Sequence, residues 1–143
     1  MKKAKRLLAL GAAAMMLVGA VSLPVYARGN NDTPSSWSFE VGRGSPYMIT
    51  EDRPKLDDSG TYIYYRSGNK PYFGCDVLNI NNKSQCKKYG SINVGKKGRI
   101  AQYVYENGYR DCKLMLTSDN LSYGGGGGEW SPDSINSYPY INT

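Results

Sequence analysis

Three cysteines are the residues best suited to chemistry: Cys75, Cys86 and Cys112. An odd number leaves one thiol unpaired or bonded to another molecule. If residues 81–83 (Asn-Asn-Lys) form a turn, Cys75 and Cys86 fall opposite each other, and a Cys75–Cys86 disulfide is the expected pairing. Cys112 would then pack as a small apolar residue. A bridge from Cys112 to either partner, and three reduced thiols, are the alternatives. Four-ligand metal binding is not expected, because no two cysteines are closely spaced and the chain has no histidine. The same lack of histidine removes Ser-His-Asp and Cys-His catalysis.

Paired carboxylates occur at Glu51-Asp52 and Asp57-Asp58. A glycosidase needs two carboxylates facing each other across a cleft. Neighbours in turn-rich segments instead read as solvated turn formers, and a chain this short leaves little material for a cleft. The run Gly124 to Gly128 lacks the Lys-Ser/Thr ending of a phosphate loop. It reads as a flexible loop, with a bare backbone kept for close approach as the alternative. No catalytic residue, cofactor or metal site is therefore assigned, and the expectation is a protein that is not an enzyme. The 12 tyrosines after residue 27 outnumber what one small core can hide, which suggests contact with carbohydrate, peptide or an interface. Cross-strand tyrosine pairs within a sheet would account for them equally.

These residues must be positioned by a chain that begins with a basic start (Lys2, Lys3, Lys5, Arg6). An uncharged apolar run over residues 7–23 follows, and then Val25-Tyr26-Ala27. That is the layout of a secretory signal peptide, residues 1–27. Export would make disulfides chemically permissible and place the protein outside the cell. Of 18 Lys and Arg, four lie in residues 1–27, with none of the 12 Asp and Glu; the remainder carries 14 − 12, or +2. The basic balance is mostly an export feature and gives no reason to expect nucleic-acid binding. Residues 28–36 (RGNNDTPSS) read as a disordered leader and residues 37–143 as a single domain.

The domain is rich in Tyr and Gly and has no long run of apolar residues at helical spacing. An all-β antiparallel sandwich or barrel of about six to eight short strands is expected. Strands are expected over residues 37–41, 47–50, 61–66, 75–80 and 91–94, with a weak return strand over 84–89. The centre is expected to be a hairpin over residues 99–117, closed by a type I′ turn at Asn107-Gly108. In that register Ala101, Tyr103, Tyr105, Cys112, Leu114 and Leu116 share the core side.

Several segments together carry a resemblance. Residues 60–64 (GTYIY), 103–109 (YVYENGY) and 130–134 (WSPDS), with the signal, resemble small exported proteins of Gram-positive bacteria without an assigned function. The closing Trp130-Ser131-Pro132-Asp133-Ser134 is also similar to the tails of lactococcin-972-type bacteriocins, which are small secreted β-sandwiches. The resemblance implies a non-catalytic, bacteriocin-like or envelope-binding module whose partner is a bacterial cell envelope or another extracellular protein. Its membrane contact would be through the signal peptide alone. The alternative is an extracellular matrix protein that self-associates through exposed edge strands.

Overall fold

The computed structural model describes residues 29–42, 45–119 and 122–143; the signal peptide expected at residues 1–27 lies outside them. The described residues form an all-β fold without helices. Its strands are β1 (Ser35–Val41), β2 (Tyr47–Ile49), β3 (Arg53–Pro54), β4 (Thr61–Gly68), β5 (Tyr72–Asn79), β6 (Gly90–Asn93), β7 (Lys97–Ile100), β8 (Asp111–Thr117) and β9 (Gly124–Ser131). Two antiparallel sheets pack face to face as a sandwich, not a closed barrel. One has the order β1-β9-β4-β7; the other runs β2-β8-β5-β6, with β3 also pairing β8.

The core follows from alternation along the strands. Trp37, Phe39 and Val41 of β1, with Ile63 and Tyr65 of β4, face Phe73, Cys75 and Val77 of β5 and Cys112, Leu114 and Leu116 of β8. Phe73 is the hub. Its ring centroid lies 5.9 Å from Trp37, 5.2 Å from Phe39 and 5.0 Å from Tyr65. Such tilted and edge-on contacts add about 0.5–1.5 kcal/mol each beyond the area they bury.

The glycine run is a strand, not a loop. β9 lies between β1 and β4, and Trp37 and Phe39 stand directly opposite Gly128 and Gly126. The missing side chains are replaced by rings from the neighbours. A Cβ on Gly126 would run into the Tyr65 ring, 2.7 Å from its Cζ; one on Gly128 would collide with the Tyr64 carbonyl and lie 3.0 Å from the Trp37 ring. A Gly-rich segment makes a stable strand here because adjacent aromatic residues occupy its face.

The expected hairpin over residues 99–117 does not form. β7 pairs with β4 in one sheet and β8 with β5 in the other, so residues 101–110 cross between sheets. Asn107-Gly108 closes a single helical turn. Gly108 N–H donates to Tyr105 O (3.1 Å) and Tyr109 N–H to Val104 O (3.0 Å). That is a Schellman pattern with Gly108 at φ +85°. A type I′ turn needs positive φ at Asn107 as well, and among the described non-glycine residues only Asn82 has it. Cys112, Leu114 and Leu116 are core as expected. Of the other half of the crossover, Val104 and Gln102 are buried and Tyr103 is exposed.

The remaining differences are smaller. The turn at residues 81–83 forms, held by Asn79 Oδ1, which accepts from Asn81 and Lys83 N–H. The return strand expected over 84–89 reduces to one bridge, Leu78–Ser84, and β6 takes the place beside β5. The segment read as a leader contributes Ser35 and Ser36 to β1. Asn31 is tied by its N–H to Asp133 Oδ2 (2.8 Å).

Candidate functional site

The outer face of the four-stranded sheet carries two adjoining features. The first is an aromatic band with cations between its rings. Tyr62 and Tyr64 point outward from β4, because Ile63 and Tyr65 fill the core. They pair across with Arg99 and Lys97 of β7. The C-terminal segment folds back and hydrogen-bonds β7, with Arg99 N–H donating to Pro139 O and Ile141 N–H to Arg99 O, both 2.9 Å. It lays Tyr138 on Tyr62, with centroids 5.2 Å apart. Lys97 Nζ sits 4.9 Å from the Tyr64 ring and 5.9 Å from Tyr138; the guanidinium carbon of Arg66 is 5.8 Å from Tyr64, and that of Arg99 is 4.3 Å from Tyr140. Burial, helped by Tyr138 and Glu129, pushes the Tyr62 hydroxyl up to about 12, so it stays a neutral donor.

The second feature is a trough of about 400 Å³ whose lining includes Ser38, Glu40, Ser67, Tyr123, Gly125 and Gly127. Its row across the sheet is Ser38–Gly127–Ser67. A bulge between Tyr65 and Ser67 lets Tyr65 turn inward while Ser67 turns outward. Arg66 bridges to Glu129 at the border between trough and band. Gly126 is required by the Tyr65 ring beneath it, and Gly128 by the Tyr64 carbonyl with the Trp37 ring beyond it. Gly127 is not: an added Cβ would find only Trp37 O at 3.1 Å and Ser38 Cα at 4.0 Å.

The sequence-derived candidates are dispersed. Cys75, Cys86 and Cys112 are all free thiols in the structure, so the expected Cys75–Cys86 disulfide is not present in it. Cys75 and Cys112 are buried in the core. Burial pushes the Cys86 and Cys112 thiols up to about 12 and raises Cys75 as well, which keeps them protonated and weakly nucleophilic at neutral pH. Glu51-Asp52 is exposed, with Asp52 3.7 Å from Lys113. Asp57 and Asp58 do not face another carboxylate pair across the trough. Among the described residues no group of three or more Cys, Asp or Glu side chains is arranged to hold a metal ion. Of the tyrosines, Tyr62, Tyr64, Tyr138 and Tyr140 converge on the band, while Tyr89 lies in the loop before β6.

One constellation has no counterpart among the sequence-derived candidates. Lys55 and Asp133, both with fully buried side chains, form a direct ion pair between the segment after β3 and the segment after β9. Lys55 Nζ also donates to Ser59 O (2.6 Å) and Pro132 O (2.9 Å). Asp133 Oδ2 accepts from the N–H of Asn31 (2.8 Å) and Leu56 (2.9 Å). Asp57 Oδ1 stands 3.9 Å from the same Nζ. The tail motif Trp130-Ser131-Pro132-Asp133-Ser134 thus has a physical task. Trp130 packs the core, Pro132 and Asp133 hold Lys55, and Ser131 Oγ donates to Asp133 O (2.7 Å).

No curated protein and no solved structure matches the chain. A family model described as protein of unknown function (DUF2712) matches residues 23–134. A sandwich with a glycine strand at its centre, an aromatic outer band and a buried lysine clasp is therefore what this member contributes to the picture of its family: the chain belongs to DUF2712, a family of proteins of unknown function.

Proposed function

We propose that the chain is exported, loses residues 1–27 and acts outside the cell as a non-catalytic module that binds a bacterial envelope in the manner of a bacteriocin. The observation that carries this reading is the outer face of the four-stranded sheet. There a bare trough runs beside a band of tyrosines interleaved with Arg66, Lys97 and Arg99. Tyrosine rings offer flat apolar area with a polar tip, and the cations suit a partner that is negatively charged. A hydroxyl-rich anionic wall polymer has both properties. The test is retention of the purified mature protein on Gram-positive cell walls, with growth of related strains as a second readout. Tyr64→Ala with Lys97→Ala should weaken retention by about tenfold, the equivalent of about 1.4 kcal/mol. Folded wild-type protein that neither sediments with walls nor affects growth refutes the proposal.

A second reading is self-association. Among the described residues β1 pairs with β9 alone, so its seven-residue outer edge is open, and it carries no Pro, Lys or bulge to protect it. Sedimentation over a range of concentrations tests it, and a strictly monomeric species overturns it.

A further inference from the structure

We propose that Lys55 and Asp133 become covalently joined, through an amide bond between Lys55 Nζ and Asp133 Cγ that the chain forms itself with loss of one water. This stands apart from the envelope-binding reading, since it concerns a buried site between the segments after β3 and β9. The two side chains are fully buried and in direct contact. Five further groups are placed as such a condensation needs.

Asp57 supplies the base. Its Oδ1 is 3.9 Å from Lys55 Nζ, its side chain is 28% exposed, and it is fixed by Ser59 N–H (2.9 Å) and Asn30 Nδ2 (2.7 Å). Burial pushes this carboxyl up, but hydrogen bonds from Ser59 and Asn30 help to outweigh it and hold it below its ordinary range. It is thus ionised and lies beside the Lys55–Asp133 pair. The N–H groups of Asn31 and Leu56 converge on Asp133 Oδ2, the oxygen turned away from the lysine. They are placed to hold the charge that develops there when Cγ becomes tetrahedral. The carbonyls of Ser59 and Pro132 fix Nζ and limit its motion.

The balance closes without an oxidant or another reactant. Asp57 takes a proton from the Lys55 ammonium. Asp57 passes that proton to Asp133 Oδ1, which leaves a neutral amine against a neutral acid; the freed nitrogen lone pair then attacks Asp133 Cγ, and negative charge collects on Oδ2. The intermediate collapses by breaking the Cγ–Oδ1 bond. Oδ1 leaves as water, with two protons that began on Nζ and passed through Asp57. One ammonium and one carboxylate become one amide and one water. Ordinarily water opposes this reaction, but here bulk water is excluded and the partners are held together, which raises their effective concentration by orders of magnitude. The product also removes two charges from a site where burying them is costly.

The experiment is intact-mass measurement of the folded, purified protein, each processed form being identified by its N-terminal sequence, followed by protease digestion. The expected mass is one water below that of the sequence, with one branched peptide carrying Lys55 and Asp133. Lys55→Arg should restore the full mass. Asp133→Asn should give the same cross-linked product, with ammonia leaving instead of water. Asp57→Asn should fold yet slow bond formation by about 100-fold or more, as expected for loss of a proton-transfer group. A folded wild-type protein at full mass overturns the proposal, as does a water deficit that survives in Lys55→Arg. If Lys55→Arg fails to fold, the presence or absence of the branched wild-type peptide still decides.

Discussion

Adding one methyl group to the glycine strand should be tolerated at one position and not at its neighbour. In Gly126→Ala the new carbon would sit 2.7 Å from Tyr65 Cζ, where carbon pairs normally rest about 3.5–4.0 Å apart. The ring would have to retreat by about 1 Å. It has no room to do so: Tyr65 is fully buried, 5.6 Å from Trp37 and 5.0 Å from Phe73, and its hydroxyl donates to Lys70 O at 2.8 Å. Overpacking of this kind costs about 1–3 kcal/mol, and loss of the hydroxyl bond adds about 1 kcal/mol. Restricting the unfolded chain returns about 0.4–1 kcal/mol, so the net loss is about 1–3.5 kcal/mol. At about 4 °C per kcal/mol the midpoint falls by about 4–14 °C. Gly127→Ala points the methyl into the open trough and should change stability by less than about 0.5 kcal/mol. Trp37 and Trp130 are buried, so their fluorescence during thermal or urea unfolding reports both variants. Equal loss in the two, or no loss in Gly126→Ala, would show that the rings do not rest on the glycines and would refute the reasoning.

Two further outcomes are expected. Asp76 is buried; its Oδ1 accepts from Val77 N–H (2.8 Å) and Ser84 Oγ (2.9 Å), while Oδ2 meets no donor of normal strength, with only the weak Cys86 thiol beside the carboxyl. Burial raises this carboxyl, so the stability it contributes is present below the ordinary carboxylate range and lost as pH rises through the raised value. Asp76→Asn should therefore stabilise the protein at pH 7 by about 1 kcal/mol, with the gain fading below about pH 4; urea midpoints at both pH values check this, and a loss at pH 7 contradicts it. Gly108→Ala should cost about 1 kcal/mol from backbone conformation alone, since φ is +85° and nothing lies within 4 Å of an added Cβ; unchanged stability would exclude the Schellman turn.

The strands whose side chains alternate were legible in the sequence. Trp37, Phe39 and Val41 announced β1, and residues 61–66 announced β4, although its tyrosines did not say which face was core. Only the tertiary structure distinguishes them, because Tyr65 meets Phe73 and Ile63 joins the same core, while Tyr62 is covered by Tyr138. The two largest misreadings share a cause. Asn107-Gly108 satisfies either a hairpin or a helical-turn cap locally, and the choice falls to β7 and β8, which find partners in different sheets. Glycine has no strand preference of its own, so the strand at Gly124–Ser131 depends on rings contributed by β1 and β4, more than 55 residues away in the chain. The Lys55–Asp133 clasp left no spacing signal. A lysine in a turn-rich stretch normally points to solvent, and only the return of the chain after β9 buries it.

The C-terminal strap along β7 has a geometric corollary. Hydrogen bonding at Arg99 occupies the backbone on that margin of the four-stranded sheet, whereas β1 at the far margin has a partner on one side only among the described residues. Any lengthening of this sheet by added strands must therefore proceed from β1. Two molecules meeting there would each use up the available border of this sheet, so the joined four-stranded sheets would stop at a pair.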